Sequence, residues 1–546
     1  MKPMYRCVVI VALAALAPLL AGATQAAQDT SATACAALRS PENAVKFSQI
    51  LDAPTTILSA AVLPAERDLP EFCRVEGQIA PTVGFELRMP TKTWNSKFMM
   101  KGCGGPCGTF GSESAEQPLV KNYAVVTTDM GHRGQGWMFA YDNPQGQIDF
   151  GFRSTHVTAV AAKVVIEAYY GKPASRNYYM GCSTGGRQGM VEAQRFPHDF
   201  EGIIAGAPPW HQTGDRAFFL LWGARANIGK DGKPIMDAGK LPMIHNAVLE
   251  ACDELDGLKD GILQNPLQCK WDPSEIQCEA ERRNKDCLTA EEVAVVRKIY
   301  SGATTSSGEQ LYWGMPRGSE YNWSPVFVNA DGKPGTYFGD LGPIGNSSMA
   351  YMAFYYPPGP RYSNMEFDFD RDPQRLWLTE YIFNAQNPDL RRFKSSGGKL
   401  ILYHGWDDNQ IPAAASVDYY ETVTRTMGGA EPTREFFRLF MLPNGDHCTG
   451  GRGGGEADWI EALENWVEKG QAPDQITAYS TLKNPDVRHY LPRPRFPLDP
   501  SEYERSRPVY AYPDLARYTG SGDSRQASSW EKAPRQDSAV RRPGPH

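Results

Sequence analysis

Six short apolar runs along the chain each end in a glycine-rich or polar turn. Lys97 to Met100 runs into Gly102-Cys103-Gly104-Gly105, and Tyr123 to Thr128 runs into Asp129-Met130-Gly131-His132. Asn177 to Met180 leads to Gly181-Cys182-Ser183-Thr184-Gly185, with a helix expected from about Arg187. Glu201 to Ala205 leads to Gly206-Ala207-Pro208-Pro209, and Leu400 to Tyr403 leads to His404-Gly405. Phe437 to Leu442 ends in the loop carrying His447. Runs this short and apolar, alternating with helical segments, predict an α/β fold with a mostly parallel sheet and helices on both faces. Functional groups then collect at the carboxyl ends of the strands.

The alternation breaks between Pro209 and about Phe393. Residues 210–393 are rich in Gly, Pro, Tyr and Trp and hold four cysteines, so they read as a large inserted lid domain. The catalytic domain is expected in two pieces, 28–209 and 394–500. Residues 501–546 turn polar and rich in Ser, Arg and Pro, which predicts a tail with a disordered end. At the other terminus, Lys2 and Arg6 precede an apolar run from Cys7 to Leu20 and the small residues Ala21-Gly22-Ala23. That order predicts a signal peptide over 1–27 and an exported protein, periplasmic or secreted. The apolar run is too short for a membrane anchor.

Composition adds two constraints. The formal charge of −7, with no basic cluster, argues against a nucleic-acid partner. Of 11 cysteines, Cys7 leaves with the signal, and the even remainder suits an oxidising compartment. Paired Cys-x-x-Cys spacing for zinc is missing.

Gly181-Cys182-Ser183-Thr184-Gly185 has the Gly-x-Ser-x-Gly form of a nucleophile elbow, in which serine sits on a strained strand-to-helix turn. A serine hydroxyl needs a base to take its proton, and the base needs a carboxylate to fix its tautomer. His447 comes late enough in the chain to be that base. His404-Gly405-Trp406-Asp407-Asp408 offers two carboxylates between nucleophile and base. Asp446 is rejected as the orienting acid because adjacent side chains diverge, and His132 and His404 read as structural loop residues. The developing oxyanion needs amide donors. Thr184, which follows the serine, supplies one, and the second is expected from the early Gly-rich loop at Gly105 or, failing that, Gly104.

Cysteines flanking both Ser183 and His447, together with Gly186-Arg187-Gln188-Gly189 and Phe367-Asp368-Phe369-Asp370-Arg371-Asp372, resemble the tannase and feruloyl esterase family. The resemblance runs from Cys35 to about Pro500. It implies an α/β-hydrolase with a Ser183, Asp408 and His447 triad, since the family pattern His-Gly-x-x-Asp selects Asp408 over Asp407. It implies that Cys182 is bonded to Cys448, and the remaining spacing suggests Cys35–Cys73, Cys103–Cys107, Cys252–Cys269 and Cys278–Cys287. It also implies a structural calcium ion, with carboxylates from Asp253, Asp256 and Asp260 and carbonyls from Leu258 and Ile262, and no organic cofactor.

The activity so implied is serine carboxylic ester hydrolysis of a small aromatic ester, feruloyl or galloyl, through an acyl-enzyme. A terephthalate monoester is the alternative substrate, and a non-catalytic ligand-binding protein a distant one. Two departures stand out: Pro106 and cysteines within the Gly-rich loop, and Asn409-Gln410 where relatives often carry proline. Aromatic clusters at Tyr312, Trp313, Tyr321, Trp323 and Phe327, and at Tyr351, Phe354, Tyr355 and Tyr356, suit either ring stacking or packing inside the lid.

Overall fold

The computed structural model describes residues 30–279, 286–330, 348–481 and 496–533. The segment expected to be a signal peptide, and the end of the tail beyond residue 533, lie outside these residues.

Nine strands form one sheet: β1 (Thr55–Leu63), β2 (Phe72–Ile79), β3 (Val83–Pro90), β4 (Lys97–Lys101), β5 (Ala124–Thr128), β6 (Arg176–Cys182), β7 (Gly202–Gly206), β8 (Lys399–Gly405) and β9 (Phe437–Leu442). Their spatial order is β1-β2-β3-β5-β4-β6-β7-β8-β9. The first three strands and the β3–β5 pair are antiparallel, and from β5 to β9 every neighbour is parallel. This is the expected α/β architecture, with the six runs noted above as its parallel strands.

Those strands are apolar along most of their length, with charged residues such as Lys97, Arg176 and Lys399 at their ends, because both faces are covered. On β4, Phe98 and Met100 enter one core while Met99 enters the other. Helices α1 (Ser154–Tyr170), α2 (Thr184–Arg195) and α3 (Ala413–Thr426) contribute to the first core, through residues such as Val165, Met190 and Val417. Helix α4 (Trp459–Lys469) closes the second core with Trp459, Leu463 and Trp466.

Between β7 and β8 the described residues hold helices and short helical turns without a strand of the sheet. Two disulfides, Cys252–Cys269 and Cys278–Cys287, lie within this insertion. Its aromatic residues are mostly internal: Tyr312, Trp313, Trp323, Phe327 and Phe354 are buried, whereas Tyr355 and Tyr356 are exposed.

The expected tail after Pro500 is corrected by the structure. Strands β10 (Gln475–Ser480) and β11 (Arg505–Tyr510) pair antiparallel, and β12 (Leu515–Tyr518) pairs with β13 (Trp530–Ala533). Val509 and Ala511 fill the second core, and Tyr512 N donates to Leu439 O at 2.8 Å. Arg507 is fully buried over the Trp530 ring, 3.9 Å from its centroid, and paired with Asp260. Polar composition hid this segment because its charges are neutralised inside the fold rather than by water.

Candidate active site

The elbow arises at the β6–α2 junction. Ser183 has φ 60° and ψ −128°, a conformation that a residue with a side chain adopts only when its surroundings enforce it. Its amide donates to Gly206 O and its carbonyl accepts from Arg187 N, both at 3.0 Å, so the turn is pinned to β7 and to α2. The flanking glycines are steric requirements. A Cβ on Gly181 would lie 2.6 Å from the Gly185 backbone, and one on Gly186 would lie 2.1 Å from Gly206 O. The helix begins at Thr184, three residues before the expected Arg187.

Arg187 has another task. Fully buried, it donates from Nη1 to Gly151 O (2.7 Å) and Phe383 O (3.0 Å) and from Nη2 to Phe150 O (2.9 Å). Burial pushes its pKa down to about 9. It thereby ties the helix behind the serine to the inserted segment.

Asp408 is fully buried just past β8, and its Oδ2 lies 2.7 Å from His447 Nδ1. Its Oδ1 accepts from the amides of Gln410 (2.8 Å) and Ile411 (3.0 Å). Burial alone would raise its pKa, but the neighbouring His447 and hydrogen bonds from His404 and His447 hold the carboxyl well below the usual carboxylate range. Asp407, the other carboxylate of the motif, turns away and accepts from Asn444 Nδ2 at 2.9 Å. Burial, with Asp446 and Glu320 nearby, raises its pKa well above the ordinary value. Asp446 lies 2.5 Å from Asn322 Nδ2.

His404, read from sequence as structural, touches Asp408 directly. Its Nε2 lies 3.1 Å from Asp408 Oδ2, and its Nδ1 lies 2.7 Å from Ser416 Oγ. The sequence signal was its place four residues before Asp408, at the head of the His-Gly-x-x-Asp pattern. His132 is instead stacked on Phe139.

Cys182 and Cys448 are disulfide-bonded across 266 residues, with Cα atoms 5.8 Å apart. The bond joins the residue before Ser183 to the residue after His447. The other pairs are Cys35–Cys73, Cys103–Cys107, Cys252–Cys269 and Cys278–Cys287, as the spacing suggested. The Cys103–Cys107 loop lies against the elbow, where Thr184 Oγ1 donates to Gly105 O at 2.8 Å. Gly105 has φ +56°, and a Cβ on it or on Gly104 would meet nothing within 4 Å, so space opens beside the first turn of α2. That turn carries amides with no carbonyl partner within the helix.

The acidic loop read from sequence as a calcium site is bounded by its own hydrogen bonds. Asp253 accepts from the amides of Gly261 (2.8 Å) and Ile262 (3.1 Å), and Asp256 from that of Leu258 (3.1 Å). Asp260 Oδ2 pairs with Arg505 Nη1 (2.7 Å) and Arg507 Nη2 (2.6 Å), while its Oδ1 is buried without a hydrogen-bond partner. Burial pushes Asp256 up to about 7 against the pull of Arg507, with Asp260 and Asp253 adding to the rise. Three hard oxygen donors, one of them orphaned, fit a calcium ion. Among the described residues the group of three metal-capable side chains whose ligand atoms lie within 4.8 Å of one another is His156, Glu192 and Asp199; Asp253, Asp256 and Asp260 do not form such a group. Ligands on opposite sides of a calcium ion stand about 5 Å apart, so the wider spread is compatible. In the tighter group, Asp199 Oδ2 is only 2.6 Å from His156 Nδ1, a hydrogen bond rather than two ligand positions.

Among the described residues no helix is long and apolar enough to cross a membrane.

A family model described as tannase and feruloyl esterase matches residues 67–533. The mono(2-hydroxyethyl) terephthalate hydrolase of Piscinibacter sakaiensis is 33% identical, over 86% of this chain and 85% of its own. A probable feruloyl esterase of Arthroderma benhamiae is 31% identical, over 82% and 81%. The crystal structure of feruloyl esterase B from Aspergillus oryzae superposes with a TM-score of 0.76 at 25% identity, covering 92% of this chain and all of the other. An α/β-hydrolase sheet, an elbow serine and a histidine loop fastened beside it thus coincide with the matched span, and the chain is a carboxylic ester hydrolase that belongs to the tannase and feruloyl esterase family.

Proposed function

We propose that this protein is an exported serine esterase that cleaves aromatic carboxylic esters through an acyl-enzyme. The observation that carries the reading is the 2.7 Å contact of Asp408 with His447, on a loop disulfide-bonded to the elbow of Ser183. In this reading Ser183 Oγ attacks the ester carbonyl while His447 takes its proton. Asp408 fixes the His447 tautomer and stabilises the imidazolium. The amide of Thr184 and one from the Gly104–Gly105 loop hold the oxyanion. The proton then passes from His447 to the leaving alkoxide, and water repeats the sequence to release the acid.

The acyl group is a hydroxycinnamoyl or hydroxybenzoyl unit, covered by the segment inserted between β7 and β8. A terephthalate monoester is the second reading, favoured by the identity to the Piscinibacter relative. Asp253, Asp256 and Asp260, with the carbonyls of Leu258 and Ile262, would hold a structural calcium ion that braces the insertion against β11. Five disulfides favour an oxidising compartment, periplasmic or extracellular.

The test is kcat/KM for methyl ferulate, methyl gallate and mono(2-hydroxyethyl) terephthalate, with Ser183→Ala as blank. Preference for an aromatic ester over aliphatic esters supports the reading. Turnover of aliphatic esters alone contradicts the substrate class, and undiminished turnover by Ser183→Ala contradicts the mechanism.

A further inference from the structure

The chain leaves β7 between the strand of Ser183 and the strand of Asp408, with Ala207 N donating to Tyr403 O at 2.8 Å. Five residues later it enters a helical segment, Gln212–Gly214 continuing as a π-helical turn, Asp215–Leu221. Three polar residues on this segment, Gln212, Asp215 and Arg216, are buried with unmet hydrogen-bonding atoms. Gln212 is 0% exposed, and neither its Oε1 nor its Nε2 has a hydrogen-bond partner among the described residues. Asp215 is 1% exposed with both carboxylate oxygens in the same state, and Arg216 is 8% exposed with Nε unpartnered. Arg216 Nε and Asp215 Oδ2 stand 4.0 Å apart, close enough for attraction but too far for a hydrogen bond. The Arg216 guanidinium sits over the Trp137 ring, 5.2 Å from its centroid.

Each buried polar atom left unpaired costs about 1–3 kcal/mol, so native proteins leave few without a purpose. Several on one short segment, at the carboxyl edge of the sheet beside the triad, mark a place where another molecule supplies the missing partners. The segment also lies within electrostatic reach of the acid. Burial pushes Asp215 up to about 8, Arg216 opposes the rise, and Asp408 adds to it.

Resting on the esterase reading above, we propose that Gln212, Asp215 and Arg216 form the polar end of the acyl pocket and recognise a phenolic hydroxyl on the acyl ring. The chemistry selects that group. Asp215 accepts when ionised and both donates and accepts when protonated, so a group that can donate and accept meets it in either state. Arg216 offers a donor, so the group must also accept one, and Gln212 can do either. A phenol hydroxyl does both and so meets Asp215 in either protonation state, whereas a carboxylate can only accept and would place a negative charge near Asp408. Trp137, beneath Arg216, gives the guanidinium an aromatic floor.

The experiment is the ratio of kcat/KM for methyl 4-hydroxycinnamate to that for methyl cinnamate, in the wild type and in Gln212→Leu and Asp215→Leu. A site built to hydrogen-bond a hydroxyl discriminates strongly against the analogue lacking it. The expected wild-type ratio is therefore at least about tenfold, collapsing toward unity in either variant. Equal rates on the two esters in the wild type overturn the inference while leaving the esterase reading intact. An unchanged ratio in a variant that melts like the wild type also overturns it, because the three residues then serve only the fold. Turnover of neither methyl ester, with 4-nitrophenyl acetate still cleaved, overturns the aromatic-ester reading itself and this inference with it. The wild-type ratio decides the matter even if a variant fails to fold.

Discussion

Asp408 Oδ2 lies 2.7 Å from His447 Nδ1, and the same oxygen lies 3.1 Å from His404 Nε2. The carboxylate is thus shared between the imidazole of His447, whose neighbour Cys448 is bonded to Cys182, and the fully buried imidazole of His404. Two backbone amides hold its other oxygen. A carboxylate with four contacts, fully buried, is fixed in position before substrate arrives.

Asp408→Asn should lower kcat by about 10⁴-fold, the scale observed when a triad loses the group that sets its histidine tautomer. Asp407→Asn should stay within about tenfold of wild type, because Asp407 is hydrogen-bonded to Asn444 rather than His447. Steady-state kinetics on any cleaved ester checks both. The reverse ranking would make Asp407 the acid.

The depressed pKa of Asp408 has a signed consequence for stability. Its contribution is fully present above the unfolded value of about 3.9 and is lost as the pH falls through the lower folded value. The stability gap between wild type and Asp408→Asn, from denaturant unfolding, should narrow as the pH falls below about 4. A gap that stays constant from about pH 5 down to about pH 2 would mean that this carboxyl is not held ionised.

His404 acts through Asp408, so His404→Gln should reduce kcat by about tenfold with little change in KM. A purely structural role would appear as a lower melting temperature with both constants intact.

Replacing both Cys182 and Cys448 with alanine removes a crosslink across 266 residues, which the chain-entropy model values at about 5.6 kcal/mol. Displacement of His447 by about 1 Å should cost about 10²-fold in kcat/KM, measured well below the melting temperature. Activity that declines only in step with unfolding would reduce the bond to a staple.

Chelation should lower the melting temperature, and added calcium should restore it, with kcat below the transition nearly unchanged. Asp260→Ala should abolish the calcium-dependent shift. A melting curve indifferent to both chelator and calcium would remove the ion from the account.

Much of this was legible in the chain because the physics is local. Strands covered on both faces must be apolar along their length, and an elbow must carry glycines where backbones nearly touch, as Gly181 does at Gly185. The family's His-Gly-x-x-Asp pattern points to Asp408, and it is Asp408 whose Oδ2 lies 2.7 Å from His447 Nδ1. What stayed hidden depends on partners distant in sequence. His404 shows its role only once Asp408 folds back over it. Arg507 looks like part of a polar tail until Asp256 and Asp260, about 250 residues earlier, are seen to pair with it. Gln212, Asp215 and Arg216 carry no motif and stand out only because burial leaves their polar atoms unmet.

The most direct test of the central claim is labelling by a fluorophosphonate, read by peptide mass spectrometry against ester hydrolysis measured in parallel. The account predicts one adduct per chain, on Ser183, with activity lost in proportion to labelling and no adduct in Ser183→Ala. Full hydrolytic activity surviving complete exposure to the reagent, or an adduct on another residue that tracks the loss, would contradict a Ser183 nucleophile.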